Sequence, residues 1–66
     1  MRLETLRARD GLSQEQVARQ LGVSRNTMKN WEDGVTEPNA SQIKALADMF
    51  GVTTDYLLDR KENEDQ

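Results

Sequence analysis

The sequence predicts an all-α fold of five short helices in one small domain, and three observations predict it. Apolar residues recur at helical spacing, most plainly at Ile43, Leu46, Ala47 and Phe50. Glycines at positions 11, 22, 34 and 51 close those runs, and Ser13, Ser24, Asn39 and Thr53 stand where each following helix needs an N-cap. With 66 residues and no cysteine, the chain has little core to build, and helical packing is the economical way to build it.

The first helix is expected from about Arg2 to Arg9, with Leu3 and Leu6 facing inward and Gly11 ending it. Arg7 falls on that inward side, and a buried guanidinium needs a carboxylate; Glu32, next to Trp31, is the expected partner. Ser13 opens the second helix, Gln16 three residues on completes a capping box, and Leu12 with Val17 can form a hydrophobic staple. Its inward stripe is Val17, Ala18 and Leu21, while Glu15 and Arg19 make a solvated i,i+4 pair.

Gly22 ends the second helix and Ser24 caps the third only two residues later, with Val23 and Met28 placed for a second staple. So short a turn joins its helices at a steep angle, the geometry of a helix-turn-helix. The third helix ends at Gly34. Asn39 caps the fourth, with Gln42 three residues on, and Gly51 stops it. Thr53 caps a short fifth helix that reaches about Leu58, with Val52 and Leu57 as a third staple. The domain therefore spans residues 1–58. Residues 59–66 are charged, lack apolar side chains and are expected to be disordered.

The third helix carries the chemistry. At about 100° per residue, Asn26, Lys29, Asn30 and Asp33 point away from Met28 and Trp31, with Arg25 at the edge. Arginine and lysine can donate to O6 and N7 of guanine, and asparagine can pair bidentately with adenine. Arg25 and Lys29 are like charges four apart, and Arg25 stands at the wrong end of the helix dipole. An anion in front of the helix would remove both penalties. The competing reading is a solvated face with Lys29 paired to Asp33. Trp31 shares the face of Met28 and is read as core rather than as a platform for base stacking.

The formal charge is −3 and the pI about 4.8, which at first opposes a polyanionic partner. Residues 1–32 nevertheless carry +2 and residues 33–66 carry −5. The Debye length is about 8 Å at physiological salt, so a basic face can meet phosphate while a distant acidic face is screened. The absence of cysteine and histidine excludes disulfides, thiolate or imidazole metal sites and Ser/His or Cys/His nucleophile pairs. Scattered carboxylates and the lack of a glycine-rich phosphate loop argue against an enzyme, and no cofactor is expected. No apolar run approaches a membrane span and no secretory leader is evident, so a cytoplasmic, nucleoid-associated protein is expected.

The residues Leu12-Ser13-Gln14, Ala18, Leu21-Gly22-Val23-Ser24, Trp31-Glu32, Gly34, Pro38, Leu46-Ala47, Phe50-Gly51-Val52 and Asp55-Leu57-Leu58 together resemble the Cro/phage-repressor family of helix-turn-helix proteins, also called XRE-like. The likeness covers nearly residues 1–58 and rests on glycines, caps and core positions at fixed spacings. It implies a lambda-repressor-like, five-helix domain whose third helix enters the DNA major groove. Matched residue by residue, it implies base-reading roles for Arg25, Asn26, Lys29 and Asn30. It implies phosphate contact or bracing by Gln14, Ser24 and Thr27, and a structural ion pair between Arg7 and Glu32. The loop after the third helix often offers Lys or Arg to phosphate in this family, whereas Val35, Thr36 and Glu37 stand here. One helix reads few base pairs, so a homodimer on a palindromic operator is expected, with Tyr56 and Leu58 as candidate contacts. The function expected is a bacterial or phage transcriptional regulator, a repressor that occupies its promoter. The alternative is a protein-interaction or antitoxin-like module on the same fold, its acidic half meeting a basic partner.

Overall fold

A computed structural model describes residues 1–59. Five helices follow in order: α1 (Leu3–Asp10), α2 (Gln14–Leu21), α3 (Arg25–Asp33), α4 (Ala40–Phe50) and α5 (Thr54–Leu57). The all-α class expected from the sequence is borne out. Of the charged stretch expected to begin at Asp59, Asp59 pairs with Arg2 at 2.7 Å, and residues 60–66 lie outside the described part. Among the described residues no helix is long and apolar enough to cross a membrane.

Each helix but the first starts on a side-chain cap. Ser13, Ser24, Asn39 and Thr53 all hold extended backbone and accept from the amide three residues on. Ser13–Gln16 and Asn39–Gln42 complete reciprocal capping boxes. Helix α1 has no such cap at Arg2; its start is held instead by a backbone bond from the Arg2 amide to Leu57 O, 2.7 Å. The chain start is thereby fastened to α5.

The connectors repeat one design. Gly11-Leu12-Ser13, Gly22-Val23-Ser24 and Gly51-Val52-Thr53 each run glycine, aliphatic, hydroxyl. The aliphatic amide reaches back to the carbonyl five residues earlier (Arg7, Ala18 and Ala47) at 2.9–3.0 Å, which closes a Schellman motif. Its side chain packs against the core, and the hydroxyl caps the next helix. Two residues between glycine and helix leave no slack, so the connector itself sets the angle of α2 to α3. Gly22 holds φ 74°, a left-handed conformation that costs other residues about 1–2 kcal/mol.

Leu3, Leu6, Val17, Ala18, Met28, Trp31, Leu46, Ala47, Phe50 and Leu57 form one buried cluster drawn from all five helices. Leu21 and Ile43, expected on the inward stripes, are half-buried at its rim. Helix α2 packs most extensively on α3, α4 on α5, and α2 also touches α4. Arg9 adds a polar tie, donating to Phe50 O at 2.7 Å and so closing the end of α4. The same guanidinium hydrogen-bonds Asp10, which holds that carboxyl below its usual pKa.

Candidate nucleic-acid interface

Burying Met28 and Trp31 fixes which side of α3 meets solvent. Their exposures are 0% and 5%, so the opposite ridge is turned outward and cannot rotate in without opening the core. Arg25, Asn26 and Lys29 are exposed there and line one shallow groove. Asn30 lies half-buried further along the helix. Lys29 holds Asp33 at 2.8 Å in an exposed i,i+4 pair.

At the start of α3 the Ser24 hydroxyl accepts from the Thr27 amide at 3.1 Å and bonds the Thr27 hydroxyl at 2.9 Å. Both side chains therefore serve the cap, and they fix the first turn from which Arg25 and Asn26 project. The charges of α3 run against its dipole. Arg25 is its first residue, no acid occupies the first turn, Glu32 and Asp33 end it, and no base occupies the last turn. Helices α1 and α2 do the opposite, with Glu4 and Glu15 in their first turns and Arg7, Arg9 and Arg19 in their last. A helix charged in this sense raises the positive potential at its own N-terminal end.

Beneath the face, Glu32 anchors α3 to the rest of the domain. Its side chain is 5% exposed and accepts from Arg7 Nε, from Arg7 Nη2 at 3.0 Å and from Gln14 Nε2 at 2.8 Å. Arg7 Nη1 donates to Leu12 O at 2.9 Å. One carboxylate thus joins the end of α1, the connector after it, the first residue of α2 and the end of α3. Its hydrogen bonds hold the Arg7 guanidinium above its ordinary pKa, against the opposing effect of burial. Gln14 therefore braces α3 through Glu32 rather than through one of the outward-facing residues. Sequence patterning has no signal for that bond, because a neutral amide at a helix start demands no particular partner.

The last two candidate residues lie elsewhere. Tyr56 is 43% exposed, with the Arg2 guanidinium 4.5 Å from its ring centroid. Leu58 is half-buried and lines a cavity with Met1, Trp31, Gly34, Thr36 and Glu37. The Arg2 contacts with the Tyr56 ring, Tyr56 O and Asp59 were not anticipated from sequence.

A capped three-residue turn, a second helix fixed by its own buried face, and an outward ridge of donors define a helix-turn-helix. The family described as a helix-turn-helix domain matches residues 1–60, and the chain belongs to that family, in its XRE-like branch. Among curated relatives, it is 43% identical over 61 residues to the HTH-type transcriptional activator BcrR of Enterococcus faecalis, covering 92% of this chain and 30% of that protein. It is 31% identical over 61 residues to the HTH-type transcriptional regulator ImmR of Bacillus subtilis, covering 92% and 48%. To AnsR, an HTH-type transcriptional regulator of the same organism, it is 35% identical over 60 residues, covering 91% and 52%. The chain spans about a third to a half of the length of these relatives. No solved structure gives a significant match.

Proposed function

We propose that this chain is a sequence-specific duplex-DNA-binding unit of a transcriptional regulator, with α3 lying in the major groove. The observation that carries the reading is the outward ridge of α3, where Arg25, Asn26 and Lys29 share one groove on a helix whose charges oppose its own dipole. The relatives' description as HTH-type transcriptional regulators supports the same reading. The major groove is about 12 Å wide and admits a helix, and its base edges present the acceptors that these side chains match.

In this mechanism Arg25 and Lys29 donate to guanine, and Asn26 and Asn30 pair with adenine. The Ser24–Thr27 cap and the half-buried Gln14 lie toward the phosphates, whose contacts set register but carry no base information. A second copy supplies the other half-site of a palindromic operator, meeting the first through Tyr56 and Leu58. The complex sits on the nucleoid in the cytoplasm and represses by occupying a promoter. A reporter gene whose expression rises with the protein would overturn that sign.

Binding selection from random duplex DNA tests the whole reading. A palindromic consensus is expected, bound with a log affinity that falls by about 0.9 per phosphate contact against log salt. A flat, micromolar response with no consensus would reject it in favour of a protein-interaction module.

A further inference from the structure

We propose that Asp33 is a specificity-determining residue, an internal competitor that withholds Lys29 from phosphate and releases it to a base. The inference rests on the DNA-binding reading above.

Asp33 contributes little to the fold. Its side chain is 49% exposed, it is the last residue of α3, and an acid there opposes the helix dipole. It pairs with Lys29 at 2.8 Å. Lys29 in turn is one of the three residues lining the α3 groove. One of the two cations lining that groove is therefore already neutralised before DNA arrives.

Magnitudes decide when the pair opens. An exposed i,i+4 ion pair costs only about a twofold factor to break. A screened contact with one phosphate offers about the same, so on random DNA Lys29 divides about evenly between Asp33 and phosphate. A guanine edge offers two aligned acceptors, worth about fivefold to a hundredfold in discrimination, and it wins. This competition weakens binding to random sequence more than binding to the operator.

The test measures the salt dependence of wild type, D33N, K29A and K29A/D33N on the selected duplex and on a scrambled duplex of equal length. In D33N, Lys29 is free to meet a phosphate, so the log–log slope on scrambled DNA is expected to steepen by roughly half of the ~0.9 that a whole contact gives. The slope on the selected duplex is expected to change less, and the ratio of the two affinities to fall about twofold or more. In the K29A background, D33N is expected to add no slope, which separates competition for Lys29 from a general gain in positive charge. An unchanged slope on scrambled DNA in D33N, or the same steepening without Lys29, would overturn the proposal. Operator binding by wild type alongside either result would leave the DNA-binding reading standing. Salt-independent binding by wild type would remove both.

Discussion

Asn26 and Glu32 belong to the same helix and illustrate two opposite uses of a polar side chain. Asn26 is exposed, and an alanine there removes no packing. N26A is expected to keep its thermal midpoint and to lose about 1–3 kcal/mol of operator affinity, with little change on random DNA. Equal loss on both duplexes in a competition assay would remove Asn26 as a base reader. Glu32 is withdrawn from solvent under three hydrogen bonds. E32A leaves Arg7 and Gln14 facing a gap, with an expected loss of about 3 kcal/mol in urea unfolding. R7M/E32M, which removes both charges, is expected to recover much of it, because an unpaired buried charge costs more than the pair contributes. Arg7 and Glu32 could be matched from sequence, since charge on an inward face demands a partner. Gln14 could not, because an amide at the first turn of a helix has equal use for solvent, phosphate or a neighbour. The rotamer that sends it to Glu32 is decided only once α2 and α3 are packed.

At the scale of the element, the connectors decide more than the helices they join. Helices of eight or nine residues are too short to hold themselves in water, so their ends and their burial must fix them. G22A is expected to cost about 1–2 kcal/mol, from the left-handed backbone alone, because a Cβ at that position meets no atom within 4 Å. A fall of about 4–8 °C in thermal midpoint per kcal/mol would be read by circular dichroism, and no fall would show that the connector relaxes without cost. S24A removes the cap under Arg25 and Asn26, with an expected loss of about 1 kcal/mol of stability and a parallel loss of operator affinity. The ends of α2, α3, α4 and α5 were legible because capping is local chemistry, readable from residues three apart. The start of α1, expected at about Arg2 and found at Leu3, was legible in place but not in what holds it. Nothing near Arg2 in sequence caps it, and what holds it is Leu57, at the far end of the chain. The longer connector from Gly34 to Asn39 starts on the same glycine, aliphatic, hydroxyl run and the same closure, Val35 N to Asn30 O at 2.9 Å, but Val35 is 69% exposed and the cap falls to Asn39 rather than Thr36.

For the molecule as a whole, a cluster of ten buried side chains among the described residues holds the five helices, and a domain of this size has a small stability margin. L46A, which opens the centre of that cluster, is expected to cost about 2–5 kcal/mol and to leave much of the protein unfolded at 37 °C by circular dichroism. The acidic pI reflects an uneven distribution, +2 over residues 1–32 against −5 over residues 33–66. It leaves α3 to present Arg25 and Lys29 while α4 is neutral and residues 51–66 carry −3. The fold class was readable because its periodicity, glycines and caps agree with one another along the chain. The outward ridge of α3 was readable for the same reason, since two buried residues fix the rotation of a helix. Its chemical employment depends on a partner outside the chain. The central claim is that this ridge meets duplex DNA, and an NMR titration with the selected operator tests it most directly. Amide and side-chain shifts are expected to concentrate at Gln14 and from Ser24 to Asn30, while α4 stays unmoved; shifts centred on α4 and α5, or none at all, would contradict it.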